Sequence, residues 1–418
     1  MSDKQRAYPV IVVTGANGGV GYAICQRLLL QLVQRVPSDA LPQRRVSQSL
    51  SIDENATINI EDFTSYEGLT LILACRDVQK AEQAREDLQN LLDTEITRLQ
   101  GQNADEAEHA RRFRENVKIV THRLDLASIE SIFNFSRLIK SSYPYVSHLV
   151  CNAGVASFSG YDWPLAIKQI VTDFIGSVSA PVYKIQRVGE LSEDGLGWVW
   201  QCNVFGHYVL VRLLEPLLEK YEKLSETPAR VLWMSSLEAR ADCYDPNDLQ
   251  LIRTNRSYEA SKYQVDLLVE HFEHQQYNTL QKGQYLPIRH FICHPGVVRT
   301  NIAVKSLNST FLDLCMQLSF LLAHFLGSPV HVISPYKSAI SAVHLMLVAL
   351  PFISIVSKSE KEPVPHKFGS CVDYWFNEYV SAEEAPEYGD HRQDAARLAE
   401  RCESLFQEFR KKEEASPS

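Results

Sequence analysis

Val10-Ile11-Val12-Val13-Thr14-Gly15-Ala16-Asn17-Gly18-Gly19-Val20-Gly21 is the stretch on which the reading of this 418-residue chain turns. Its first four residues form an unbroken apolar, β-branched run, as expected of a parallel strand buried on both faces. A glycine-rich turn follows, and residues 23–32 then read as a helix with apolar positions at 24, 28, 29 and 32. Strand, glycine turn and helix in that order present backbone N–H groups and the positive end of a helix to a pyrophosphate. Gly15 permits the tight turn, Gly19 lets phosphates approach the backbone, and Gly21 permits close helix packing. Asn17 and Val20 complete the set of turn residues expected to meet a dinucleotide. A glycine-rich loop of purely structural purpose is the alternative.

Working outward, apolar runs at residues 69–74, 117–124, 148–151, 230–234 and 289–293 read as further strands, separated by helical segments near 79–92, 198–219 and 258–277. That alternation predicts an α/β fold, a Rossmann-type doubly wound parallel sheet in a single domain over residues 8–310. Polar insertions interrupt it at 36–68 and at 93–116, the latter also readable as an extended helix. A third, at 158–197, carries Trp163, Pro164, Pro181 and Tyr183 and breaks the strand–helix repeat. Residues 311–380 read as an apolar helical extension over the substrate side, and 381–418 as a charged tail, frayed from Arg401 on.

In such a sheet ligands meet the carboxyl ends of the strands. The second strand ends in Cys75-Arg76-Asp77. An arginine there suits a ribose 2′-phosphate, so Arg76 argues for NADPH unless it is a plain surface residue. Asp77 either meets the ribose or caps the next helix. Asp125, after the third strand, either accepts from the adenine amino group or caps a helix together with Ser128. Asn152-Ala153-Gly154, after the fourth, is small enough for a cofactor to lie across it. Asn203 stands inside a helical stretch against its propensity, either for a functional reason or because it faces a neighbouring helix. Ser235-Ser236 follows the fifth strand. Pro295-Gly296 turns the chain after the sixth and leaves Val298 and Thr300 to meet a nicotinamide carboxamide.

Tyr258-Glu259-Ala260-Ser261-Lys262 places a phenol and an ammonium four residues apart, on one helix face. An ammonium so placed favours the phenolate and lowers the phenol pKa from its usual ~10, which suits proton exchange with a carbonyl or alcohol. The same pair also recurs on solvated helix faces without chemistry.

Net charge is −9, which offers nucleic acid no basic field. The nine cysteines show no CxxC and no Cys/His cluster at metal-ligand spacing, so no metal is expected and the thiols read as reduced. Residues 1–9 are polar and lack the apolar core of a signal peptide. The apolar segment 311–326 contains Asp313 and His324 and is shorter than the ~20 residues that span a bilayer. It reads either as a cover over an apolar pocket or as a tip dipping into one leaflet, and the two are compatible.

Thr14 to Gly21, Asn152 to Gly154, Asn203, Ser235-Ser236, Tyr258 to Lys262 and Pro295-Gly296 together resemble the short-chain dehydrogenase/reductase family in both order and spacing. Residues 181–189, 203–208, 253–262 and 326–331 are similar to a branch of it, the fungal 3-ketosteroid reductases of ergosterol synthesis. The interval of 22 residues from Ser236 to Tyr258 is longer than the wider family's. The resemblance implies Tyr258 as general acid, with Lys262 lowering its pKa and holding the nicotinamide ribose. It implies Ser236, in preference to Ser235, as donor to the carbonyl oxygen, and Asn203 as holder of a water. Those residues would act with NADPH on the C-3 ketone of a C-4-demethylated sterol. A retinoid or other lipid carbonyl is the alternative substrate, and a scaffold for sterol enzymes the alternative role. Contact with other sterol-pathway enzymes, and with the cytosolic face of the endoplasmic reticulum or a lipid droplet, is the matching expectation.

Overall fold

The computed structural model describes residues 8–50, 65–101, 103–282, 286–298, 310–332, 334–353, 366–384 and 388–415. The chain begins β1 (Val10–Thr14), α1 (Gly19–Leu32), α2 (Arg44–Ser49), β2 (Leu69–Cys75), α3 (Val78–Gln100) and α4 (Ala104–Asn116). It continues β3 (Val117–Arg123), α5 (Ile129–Ser142), β4 (His148–Cys151), β5 (Phe158–Tyr161), α6 (Trp163–Thr172), α7 (Phe174–Ser179) and β6 (Lys184–Gln186). A helical turn at Trp198–Trp200 and a wide, π-type turn at Gln201–Phe205 lead into α8 (Gly206–Ser225). Then come β7 (Ala229–Met234), α9 (Ser257–Gln281), β8 (Ile288–His294) and α10 (Thr310–Phe325). The chain closes with α11 (Ile340–Leu347), β9 (His366–Val372), β10 (Glu378–Glu384) and α12 (Tyr388–Ala415).

Eight strands form one sheet in the order β10-β9-β8-β7-β4-β1-β2-β3, parallel except for β10. Every strand expected from the sequence lies within a residue or so of its place, and α1 begins at Gly19, directly on the glycine turn. Both faces are covered, which explains the continuous apolar runs. Val10 and Val12 of β1 pack on the side of α5, α8 and α9, while Ile11 and Val13 pack on the side of α1, α3 and α11. Order reverses at β1, flanked by β2 and β4, and this opens a crevice at their carboxyl ends.

Two expectations need correction. Residues 311–380 are not helical throughout, because β9 and β10 extend the sheet beyond β8. Nor is the tail frayed from Arg401. Helix α12 is continuous and buries Ala395, Leu398, Ala399, Cys402, Leu405 and Phe406 in the α9 side of the core. Its apolar residues recur at three- and four-residue intervals, so its many charges occupy only the opposite face. Of the two readings of 93–116 the helical one holds: α3 runs on to Gln100, α4 follows, and Leu99, Ala110 and Phe113 are buried. Truncating Leu398 to alanine should therefore cost ~2–5 kcal/mol in chemical denaturation. Arg401→Ala, on the exposed face, should stay within ~0.5 kcal/mol. Equal, small losses would mean that α12 does not belong to the core.

Candidate active site

At the crevice, β1 and β4 are tied by side chains. The Thr14 hydroxyl accepts from the backbone N–H groups of Asn152 and Ala153, both at 2.9 Å, and Asn152 Nδ2 donates to the Thr14 carbonyl at 2.9 Å. Gly15 and Gly19 sit at φ +67° and +55°, which only glycine adopts freely. A Cβ on Gly21 would come within 2.4 Å of the Gly15 carbonyl oxygen and 2.5 Å of Asn152 Nδ2, so the helix can approach the turn only as glycine.

One cavity of about 860 Å³ runs along these strand ends. Of the residues anticipated from the sequence, Gly15, Asn17, Gly19, Val20, Arg76, Asp125, Asn152, Gly154, Ser235, Ser236, Tyr258, Lys262 and Val298 line it. Gly21 and Asn203 lie just behind the wall, and Thr300 is outside the described residues. Asp77 caps α3 by accepting from Lys80 N at 3.1 Å. Lys80 itself reaches the cavity near Arg76 and makes a second cation there, which the sequence reading missed. Ser128 caps α5, while Asp125 turns one oxygen to Ala127 N at 3.0 Å.

Tyr258 lies in the first turn of α9, edge-on to Phe158 at 6.0 Å between ring centroids. Its hydroxyl faces that of Ser236, the serine favoured from the sequence. Ser235 is buried, and its hydroxyl has no partner among the described residues. The electrostatics differ from expectation. Burial pushes the Tyr258 phenol well above its usual value, the Glu238 carboxylate pushes it further, and the Ser236 hydrogen bond pulls it back. Lys262 donates instead to the Met234 carbonyl at 2.8 Å, with Nζ 5.9 Å from the Tyr258 ring centre. Burial brings the Lys262 ammonium down to about 8, against the opposing pull of Asp266. In this arrangement the lysine anchors the site without acidifying the phenol.

Asn203 lies in the π-type turn, a feature that concentrates at functional sites. Its Oδ1 accepts from Val155 N at 2.8 Å, and its Nδ2 donates to Val155 O and to Ser261 Oγ, both at 2.9 Å. It thus joins the loop after β4 to the tyrosine helix. A Cβ on Gly154 would lie 3.4 Å from Asn203 Oδ1 and 3.5 Å from Lys262 Nζ, so this loop passes close to both. Sequence reading also missed Lys367 of β9. Its ammonium donates to the Ser236 carbonyl and pairs with Asp266, each at 2.8 Å.

The far end of the cavity is apolar. It is walled by Trp163, Ile170 and Phe174 of α6 and α7, and by Met316 and Phe320 of α10. The two helices also carry outward stripes, Trp163, Ile167 and Val171 on α6 and Leu314, Leu318 and Leu322 on α10, all exposed.

No protein-family profile matches the chain. It is similar to the 3-keto-steroid reductase of Eremothecium gossypii, 34% identical over 268 residues that cover 64% of this chain and 71% of that one. The same-named protein of Aspergillus fumigatus is 31% identical over 380 residues, covering 84% and 76%. That of Schizosaccharomyces pombe is 27% identical over 401 residues, covering 96% and 97%. The chain belongs to the 3-keto-steroid reductase family of oxidoreductases.

Proposed function

We propose that this protein reduces the C-3 ketone of a C-4-demethylated sterol to the alcohol, using NADPH. The observation that carries the reading is the single cavity. It joins the Arg76–Lys80 rim and the glycine turn to the Tyr258–Ser236 pair, and those in turn to an apolar end fit for a sterol skeleton. The residues present fit the cofactor. The positive-φ glycines bare backbone N–H groups, Gly21 admits close approach, and the two cations suit a 2′-phosphate. When bound, NADPH supplies the hydride that forms the new C–H bond at the carbonyl carbon.

The chain's own residues manage the oxygen. Ser236 donates to the carbonyl oxygen and gains strength as negative charge builds there. Tyr258 then transfers its phenolic proton to that oxygen, completing the alcohol. A phenol held above its usual pKa stays protonated at neutral pH, ready for an alkoxide that is more basic still. Lys262, cationic below about 8, holds the ribose side. Asn203 keeps the Val155 loop and the tyrosine helix in step.

The outward stripes of α6 and α10 flank the mouth of an apolar pocket. We take them as a face that rests in one leaflet of the endoplasmic reticulum membrane or on a lipid droplet, where an insoluble substrate resides. Among the described residues no helix is long and apolar enough to cross a membrane. Association with neighbouring sterol enzymes is compatible with this placement.

Two experiments test these readings. Tyr258→Phe should retain NADPH binding and lose nearly all reduction of a 3-ketosterol, and wild-type turnover by that variant would refute the mechanism. In the same assay Arg76→Ala should erase most of the preference for NADPH over NADH, a loss of ~1.5–3 kcal/mol. Separately, Val171→Glu with Leu318→Glu should abolish flotation with phospholipid vesicles while sparing turnover of a small soluble ketone. Undiminished flotation would remove this face as the docking surface.

A further inference from the structure

We infer that the antiparallel β5–β6 pair is a clamp that sets Ser236 and Tyr258 against each other, with Gln186 and Lys184 as its two positioning residues. This rests on the roles proposed for Ser236 and Tyr258. The pair belongs to the excursion between β4 and the Asn203 turn, read from the sequence as an insertion that carries, at 181–189, part of the likeness to the reductase branch.

The two residues lie two apart on β6, so they leave the strand on the same side. Each grips a different catalytic element. Lys184 Nζ donates to both oxygens of Glu238, each at 2.8 Å. Glu238 stands two residues after Ser236, and its own backbone N–H donates to Ser236 Oγ at 3.1 Å. Gln186, only 4% exposed, accepts at Oε1 from Tyr258 N at 2.9 Å and from Ser257 Oγ at 3.0 Å. Its Nε2 donates to Glu259, whose other oxygen accepts from Arg256 at 3.0 Å. The first N–H groups of a helix have no partner within it. Here a strand from elsewhere in the chain supplies the acceptor, at the turn that carries the phenol. The strand is in turn fixed by pairing with β5, Tyr161 opposite Lys184 and Phe158 opposite Gln186.

The clamp has an electrostatic side as well. Beyond burial, Glu238 and, less strongly, Glu259 raise the pKa of Tyr258, and Lys184, with Arg256 as the weaker cation, opposes Glu238. The β5–β6 pair therefore governs both where the phenol points and how firmly it keeps its proton. A misplacement of about 1 Å at a reacting group costs on the order of 10²-fold in rate. A serine and a tyrosine on separate elements need such a common support.

Four variants test this, three with a 3-ketosterol and NADPH and one in the reverse direction with the 3-hydroxysterol and NADP+. Gln186→Ala should lower kcat by about 10- to 100-fold, with KM and NADPH affinity little changed, because it touches neither the glycine turn nor the apolar end. The paired exchange Gln186→Glu with Glu259→Gln keeps an acceptor for Tyr258 N and Ser257 Oγ and reverses donor and acceptor only between residues 186 and 259, and should recover most of kcat. Glu238→Gln is read in the reverse direction, alcohol oxidation, which needs the phenolate as base and so rises with pH. Removing the carboxylate lowers the phenol pKa, so this rise should move to lower pH. Gln186→Ala at wild-type kcat, a paired exchange no better than Gln186→Ala, or an unmoved rise for Glu238→Gln would each overturn the clamp. Tyr258→Phe, run alongside, separates the levels. If it is inactive while Gln186→Ala is fully active, the clamp alone fails. If both are fully active, the assignment of Tyr258 fails with it.

Discussion

The Thr14 hydroxyl, by gathering the backbone N–H groups of Asn152 and Ala153, fixes the one place where the sheet changes direction. From β1 the chain departs toward α1, and from β4 it departs to the other side. The space between those departures is the crevice. Asn152 returns a bond to the Thr14 carbonyl, and Gly21 leaves room for that amide. His207, buried beneath, closes the junction with Nε2 3.0 Å from the same hydroxyl. If this junction spread, the glycine turn and the Asn203-bound loop would separate, and no cavity would connect a cofactor site with Tyr258.

From that junction the chemistry follows as a contest of environments. Burial alone would discharge Lys262 and keep Tyr258 protonated, and both tendencies are visible. Asp266, one turn further along α9, opposes the first, and Ser236 opposes the second. Lys367 binds these two influences together, since it holds the Ser236 carbonyl and pairs with Asp266. Strand β9 thereby becomes part of the site's support, although Lys367 lies 131 residues downstream of Ser236 and 101 downstream of Asp266.

Local patterns were legible because local physics determines them. The apolar run of β1, the glycines that need positive φ, and the i,i+4 spacing of Tyr258 and Lys262 each report their structure within a dozen residues. Asp77 was readable as a cap, and Ser236 as the facing serine. Contacts made by distant residues were not legible. Gln186 meets Tyr258 across more than seventy positions, and nothing in the composition of 158–197 marks it as a partner of the catalytic helix. The π-type turn at Gln201–Phe205 was hidden because its residues fit an ordinary helix equally well, although Asn203 drew attention by its poor propensity. The anchoring of α12 was present in the spacing of Leu398, Cys402, Leu405 and Phe406, but the abundance of charge around them masked it. The acidifying role expected of Lys262 failed for a different reason. Helix spacing places two residues on one face but does not say which acceptor the ammonium will choose, and it chose the Met234 carbonyl.

The central claim is that the Tyr258 phenol and a bound nicotinamide converge on one ketone. The most direct measurement follows a label. NADPH deuterated at the transferring nicotinamide position is incubated with the protein and a 3-ketosterol, and the product is analysed by mass spectrometry and NMR. One deuterium on the carbinol carbon is the result expected. An alcohol formed without deuterium at that carbon would contradict the account.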